Sequence, residues 1–392
     1  MGCHKKKNKN AILFPLSSFD LWLCGLNRRA FRYSFAAFAE VSKMFGGLLV
    51  STALRFEDYE GFDEVLSGRL SGFYEVNSRH AVRGTFGNGF RAPSMHQLYF
   101  NNVSTQFDNA GMASETLTAR NDSTLARALG VPTLKEENAI NLSVGYVFTP
   151  VHEITLTLDA YQIDIDDRII LSNQVVASAL DSGPQQIFTN AGATKAQFFI
   201  NGPDTRTSGL DAVAEWSPQI PHGKLETRLA WNITETEVIG GFRLQGLLNG
   251  LRQHALFTKR DRDIIEAWQP EERLTLSVNW RLNRLILQGD VNRYASYLSS
   301  EGSGDNYASQ THDAAYILNL RVHYDISPDI RLSFWGDNIT DNYPEKNTIT
   351  ASRSGTIKGI VDSPNGVFQY SRSTAPYGFN GAFWGISLKH SF

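Results

Sequence analysis

The chain has no apolar run of about 18 residues or more, so no membrane-spanning helix is predicted. Cysteine is nearly missing: Cys3 and Cys24 are the only two, both near the start. The rest of the chain can therefore hold neither a disulfide framework nor a Cys-based zinc site. No charge excess exists either, with 37 Lys+Arg against 40 Asp+Glu, so nucleic acid is not an expected partner. The nine histidines are scattered without H-x-x-x-H or H-E-x-x-H spacing, and no metal or other cofactor is expected. Acidic clusters such as "DIDDR" (164–168) and "EDYEGFDE" (57–64) lack the ladder of a calcium loop. No G-x-S-x-G elbow appears, and the glycines at 84–89 are not expected to cradle phosphate, since no helix is predicted after them. No catalytic residue is assigned, and an enzyme is not expected.

What is present is alternation. In "RLTLSVNWRL" one face carries Leu274, Leu276, Val278, Trp280 and Leu282, and the other Arg273, Thr275, Ser277, Asn279 and Arg281. Side chains of a strand alternate faces, so this is a strand with one apolar and one wet side. "YILNLRVHYD" (316–325), "KLETRLAWNI" (224–233) and "INLSVGYVF" (140–148) repeat the pattern. About thirteen strands are predicted: 31–43, 47–58, 66–76, 80–90, 137–149, 151–166, 197–217, 222–236, 271–283, 284–298, 312–326, 328–340 and 379–392. Within 151–166, "QIDIDD" changes phase, which predicts either a bulge or the end of the membrane zone.

The connections alternate strictly between short (44–47, 77–79, 149–151, 218–223, 283–284, 327–329) and long (59–65, 91–136, 167–196, 237–270, 299–311, 341–378). A soluble sandwich does not require this. An outer-membrane barrel does, with short periplasmic turns and long outer loops. The strands are also longer than the usual ~5–6 residues and long enough to cross a tilted bilayer path. Aromatic residues such as Trp216, Trp280 and Trp384 fall near strand ends, where a girdle belongs.

An odd strand count conflicts with the even count of bacterial barrels. Counting back from a last strand that runs down to the periplasm makes the first strand run down as well. The chain is therefore expected to be the C-terminal piece of a larger barrel. Residues 1–30 imitate a signal peptide, with a basic start and an apolar patch, but Asp20, Arg28 and Arg29 interrupt it. That stretch is read as an unmatched leader, disordered or spurious, and 31–392 as barrel.

Several segments, in order, resemble one family. "GFRAPSMHQLY" (89–99) resembles the Gly-Phe-Arg-Ala-Pro-Ser signature of TonB-dependent outer-membrane receptors. "LKEENAINLSVGYVF" (134–148), "LTLDAYQIDIDDRIILS" (156–172), "NGPDTRTSGLDAVAEW" (201–216), "WGDNITDNYP" (335–344) and "PYGFNGAFWGISLKHSF" (376–392) are similar to that family's later strands. One departure is Ala382, where the family commonly has Arg.

The resemblance implies an all-β, antiparallel transmembrane β-barrel, incomplete here: about 13 strands of a barrel of about 22. It implies a fragment of an outer-membrane receptor for energy-dependent uptake of a scarce, large solute, siderophore-, cobalamin- or glycan-like. The plug domain is expected to be absent, so the chain alone is not expected to be active. The implied location is the outer membrane of a Gram-negative bacterium. The implied partners are a TonB-type inner-membrane energy transducer, whose contact segment is not in this chain, the lipid bilayer, and the barrel-assembly machinery through Phe392. Phe90, Arg91, Ala92, Pro93, Ser94, Gly209, Asp211, Asn338 and Phe392 are carried over as structural motif residues. Ligand contact is expected in outer loops 91–136, 167–196, 237–270 and 341–378. Two other readings stay open: a barrel enzyme of protease or lipase type, which needs acid and base groups on one rim, and a soluble carbohydrate-binding β-protein, which fractionation without detergent would reveal.

Overall fold

The computed structural model describes residues 32–392 except 108–112, 181, 222, 241–255, 304–305, 352–357, 361–368, 372–373 and 392. The leader at 1–30 and the terminal Phe392 lie outside the described residues.

Thirteen strands form one sheet in chain order: Ser34–Phe45, Leu48–Tyr59, Val65–Asn77, His80–Arg91, Glu137–Val151, Ile154–Asp166, Thr205–Trp216, Lys224–Val238, Glu272–Leu282, Leu285–Tyr294, Ala315–Ser327, Ile330–Asp337 and Phe383–His390. Each pairs antiparallel with the next. Among the described residues the first and last strands pair along one edge only. Short turns close one end of the sheet and long loops leave the other.

The alternation seen in the sequence becomes two surfaces. Across seven strands, Tyr74, Val82, Tyr146, Leu158, Ala212, Trp231 and Leu274 are successive register partners. On the opposite face Thr155, Glu215, Arg228, Ser277, Asp290 and Asn319 are partners in the same way. The apolar face is bare: Val144 is 55% exposed, Phe86 55% and Ile386 73%. A contiguous exposed apolar face has no stable place in water, whereas it matches hydrocarbon. Ile286 and Ile317 are the buried aliphatic side chains on these strands; the packed apolar cluster of the molecule lies in the loops.

Two expectations are corrected, and one open alternative is decided. Residues 197–217 are not one strand: Lys195–Asn201 belongs to a separate loop sheet, and the barrel strand starts at Thr205 after Gly202, Pro203 and Asp204. Pro203 has no N–H to continue a ladder, so the chain turns the corner there. Residues 284–298 also divide. The barrel strand ends at Tyr294, and Tyr297–Ser303 pairs instead with its own return strand Asn306–His312. In "QIDIDD" the register with both neighbours runs unbroken to Asp166, so the phase change is no bulge. It is the point where the outward face turns polar, at Gln162 and Asp164.

Candidate functional site

The long loops are folded, beginning at the strand end Phe90–Arg91. The Phe90 ring meets Tyr59 edge-on at 5.8 Å. The Arg91 guanidinium donates two hydrogen bonds to the Glu137 carboxylate, both 2.6 Å, joining the two ends of loop 92–136. Glu137 Oε1 also accepts from the Ile169 amide at 2.6 Å, which ties in the next long loop. Ala92 is half-buried and Pro93 fully buried; the Pro93 carbonyl accepts from Arg32 at 2.6 Å. Ser94 caps the short helix Met95–Tyr99 and shares a capping box with Gln97.

Above this base, loops 92–136 and 167–204 form one small cap. Its sheet runs Val175–Val176, Lys195–Asn201, Ala113–Ala119, Asn102–Phe107, with Ile169–Leu171 also on Lys195–Asn201. Lys195–Asn201 and Ala113–Ala119 are parallel, a pairing between different loops. Leu117, Leu125, Leu129, Phe188, Phe198 and Ile200 pack with Leu256 into a core. Phe188 and Phe198 are 0% exposed. Polar joints fix the base of the cap. Asn201 Oδ1 accepts from the Lys135 amide at 2.9 Å, and its Nδ2 donates to the carbonyls of Lys135 at 3.0 Å and Asp167 at 2.9 Å. Lys135 and Asp167 also form an ion pair at 2.6 Å.

A second assembly lies beside it. Helix Lys259–Glu266, capped by Thr258 with Asp261, packs against the hairpin strand Tyr297–Ser303. The Leu298 amide donates to the Ala267 carbonyl at 2.9 Å, and Thr374 Oγ1 to the Trp268 carbonyl at 2.8 Å. Tyr297 stacks on His312 at 4.7 Å, and His312 Nε2 bonds Ser299 Oγ at 2.9 Å. Burial, with Tyr377 beside it, raises the Tyr297 phenol above its ordinary value. The two assemblies meet where Leu256 enters the cap core and its carbonyl accepts from the Asn173 amide at 2.9 Å.

The other motif residues lie in the barrel wall or on its rim. Gly209 faces Tyr161: a Cβ there would stand 2.3 Å from the Tyr161 ring, and the Tyr161 hydroxyl bonds Thr234 at 2.6 Å. Asp211 accepts from Asn232 Nδ2 at 2.6 Å. Asn338 adopts a φ of 50° and clasps the following turn, its side chain donating to the Asn342 carbonyl at 2.6 Å and accepting from the Asn342 amide at 3.0 Å. The structure therefore brings Phe90–Ser94 together with Glu137 and Ile169, and leaves Gly209, Asp211 and Asn338 at separate places. Among the described residues no three His, Cys, Asp or Glu side chains could hold a metal ion.

Sequence reasoning passed over the loop elements. Two signals for them exist. Ser123 precedes "TLARALG", whose Gly130 has a φ of 68°, and Thr258-x-x-Asp261 is a capping pattern. Nothing local announces the parallel pairing of the two loops.

The strand array, its bare apolar face and its one-sided loops define the transmembrane β-barrel class. The chain matches the family described as TonB dependent receptor-like, beta-barrel, over residues 8–339, and it belongs to that family. The family's members are receptors and transporters of the Gram-negative outer membrane, and full-length members work with a TonB-type partner. The vitamin B12 transporter BtuB of Vibrio vulnificus is 26% identical over 125 residues, 32% of this chain and 16% of that protein. The ferric enterobactin receptor PfeA of Pseudomonas aeruginosa has the same fold, with a TM-score of 0.60 at 16% identity, covering 94% of this chain and 46% of that one. The siderophore receptor PirA of Acinetobacter baumannii gives 0.61 at 15% identity, covering 94% and 47%. The chain thus spans about half the length of these solved structures.

Proposed function

We propose that the chain is the C-terminal part of the barrel of an outer-membrane receptor that takes up a scarce, large solute by energy-dependent transport. The solute is of the siderophore, cobalamin or glycan class. The observation that carries this is one-sidedness: short turns close one end of the sheet, while the loops at the other end fold into two packed assemblies. Such a surface is built to present contacts outward.

In this reading the motif residues Phe90–Ser94, Gly209, Asp211 and Asn338 hold loops and wall in place and touch no solute. Phe392 addresses the assembly machinery, and solute contact falls on loops 91–136, 167–196, 237–270 and 341–378. The chain works only with a plug and the remaining strands, and a TonB-type transducer supplies the force. Uptake of labelled cobalamin and ferric siderophores tests this in cells expressing the chain joined to the coding region upstream of it. Uptake that stops when the transducer gene is deleted is the expected result. An unrelated gene directly upstream, or uptake indifferent to the transducer, would overturn the reading.

A further inference from the structure

The bare apolar face is not smooth. On strand Thr205–Trp216 the outward positions nearer the short turns include Ala212 and Ala214, whose side chains are single methyl groups. Their register partners are taller: Leu158 and Leu156 on one neighbour, Trp231 and Leu229 on the other. Two short side chains between two taller rows leave a trough. It encloses about 400 Å³, within the ~300–1,000 Å³ of small-ligand sites, and Tyr146 and Phe148 form one rim.

His80 adjoins that rim. Its ring stacks on Phe148 at 4.7 Å, and its Nδ1 bonds the Tyr146 hydroxyl. With Tyr146 donating to Nδ1, the ring proton sits on Nε2, which has no partner among the described residues. His80 opens its strand just after the short turn that follows Asn77, so it stands where the apolar face ends, at the depth of lipid headgroups. Arg79, exposed on that turn, makes no ion pair among the described residues. Glu75, on the paired strand, partners Ala81 and so belongs to the wet face.

We propose that the trough is a site for one anionic phospholipid of the leaflet at the short-turn end. One acyl chain lies over Ala212 and Ala214, and the headgroup meets Arg79 and His80. An apolar trough on a membrane face takes up hydrocarbon, and a chain that fills it restores contacts that a void forfeits. A phosphate oxygen accepts from His80 Nε2, and the Arg79 guanidinium supplies the opposite charge. A zwitterionic headgroup brings its own cation to the same place, so the site prefers net negative charge. The proposal rests on the membrane-barrel fold and adds a preference to its lipid contact.

The test uses the whole chain purified in detergent and phospholipids brominated on the acyl chain, whose bromines quench tryptophan on contact. Brominated phosphatidylglycerol quenches saturably, and brominated phosphatidylcholine needs about tenfold more lipid for the same effect. Trp231→Phe keeps an aromatic wall and removes most of the saturable quenching. Arg79→Ser with His80→Ser brings phosphatidylglycerol to the phosphatidylcholine level. Ala214→Phe fills the trough and removes saturable quenching by both lipids. A heat-dependent gel shift reports the barrel separately in every variant. Equal titrations by the two lipids in the parent chain overturn the headgroup site. Saturable quenching that survives Trp231→Phe or Ala214→Phe marks an unselective lipid belt, and the trough is refuted while the receptor reading stands. Loss of the shift in the parent chain would count against the barrel itself, and the trough would fall with it.

Discussion

Arg91 and Glu137 stand at the two ends of loop 92–136 and close it with a two-pronged ion pair, 2.6 Å on each prong. Glu137 is 7% exposed and also holds the Ile169 amide, so a single carboxylate fastens both halves of the cap to the barrel rim.

Glu137→Ala leaves that amide and the guanidinium unpaired. The expected cost is about 1–3 kcal/mol, confined to the loop base. Limited proteolysis in detergent should cut the loops faster while the heat-dependent gel shift of the barrel stays. Glu137→Gln keeps an acceptor for Ile169 and should lie between Ala and wild type.

Phe198 is the centre of a different kind of support. It is 0% exposed in the cap core, so Phe198→Ala should cost about 3–5 kcal/mol of cap stability. The barrel strands share few contacts with that core. Hydrogen exchange should rise in Ala113–Ala119 and Lys195–Asn201 and stay unchanged in Glu272–Leu282.

The two sheet faces should respond oppositely to charge. Val144→Arg, on the apolar face, is expected to cost about 2–4 kcal/mol near the middle of a bilayer and to reduce folding into vesicles. Ser277→Arg, between Arg228 and Asp290 on the wet face, should fold with little change. Equal effects at the two sites would contradict the assignment of faces.

Burial raises the Tyr297 phenol above its ordinary value near 10. The folded hairpin then holds its proton more tightly than the unfolded chain, so its stability is whole below about pH 10 and falls as pH rises beyond that. Proteolysis of the hairpin should accelerate above that pH, and Tyr297→Phe should remove the acceleration.

Much of the barrel was legible because its signal is local. Leu274, Leu276 and Val278 announce a strand without knowledge of any partner, and the sheet runs in chain order, so sequence neighbours are spatial neighbours. The cap was not legible, because its sheet pairs Lys195 with Thr116 across two loops. Its helix Thr124–Ala128 is shorter than two turns and shows no period. "GFRAPS" was readable as a strand end through Pro93, but the partner of Arg91 stands 46 residues away and only the fold reveals it.

The sidedness of the loops is the centre of the account. Single cysteines at Thr105, in the cap, and at Asn283, in a short turn, can be labelled on Gram-negative cells expressing a Cys3→Ser, Cys24→Ser chain with its upstream region. The account expects an impermeant maleimide to modify Thr105→Cys on intact cells and Asn283→Cys only after the outer membrane is opened. Labelling of Asn283→Cys on intact cells, or of neither site without lysis of the inner membrane, would contradict it.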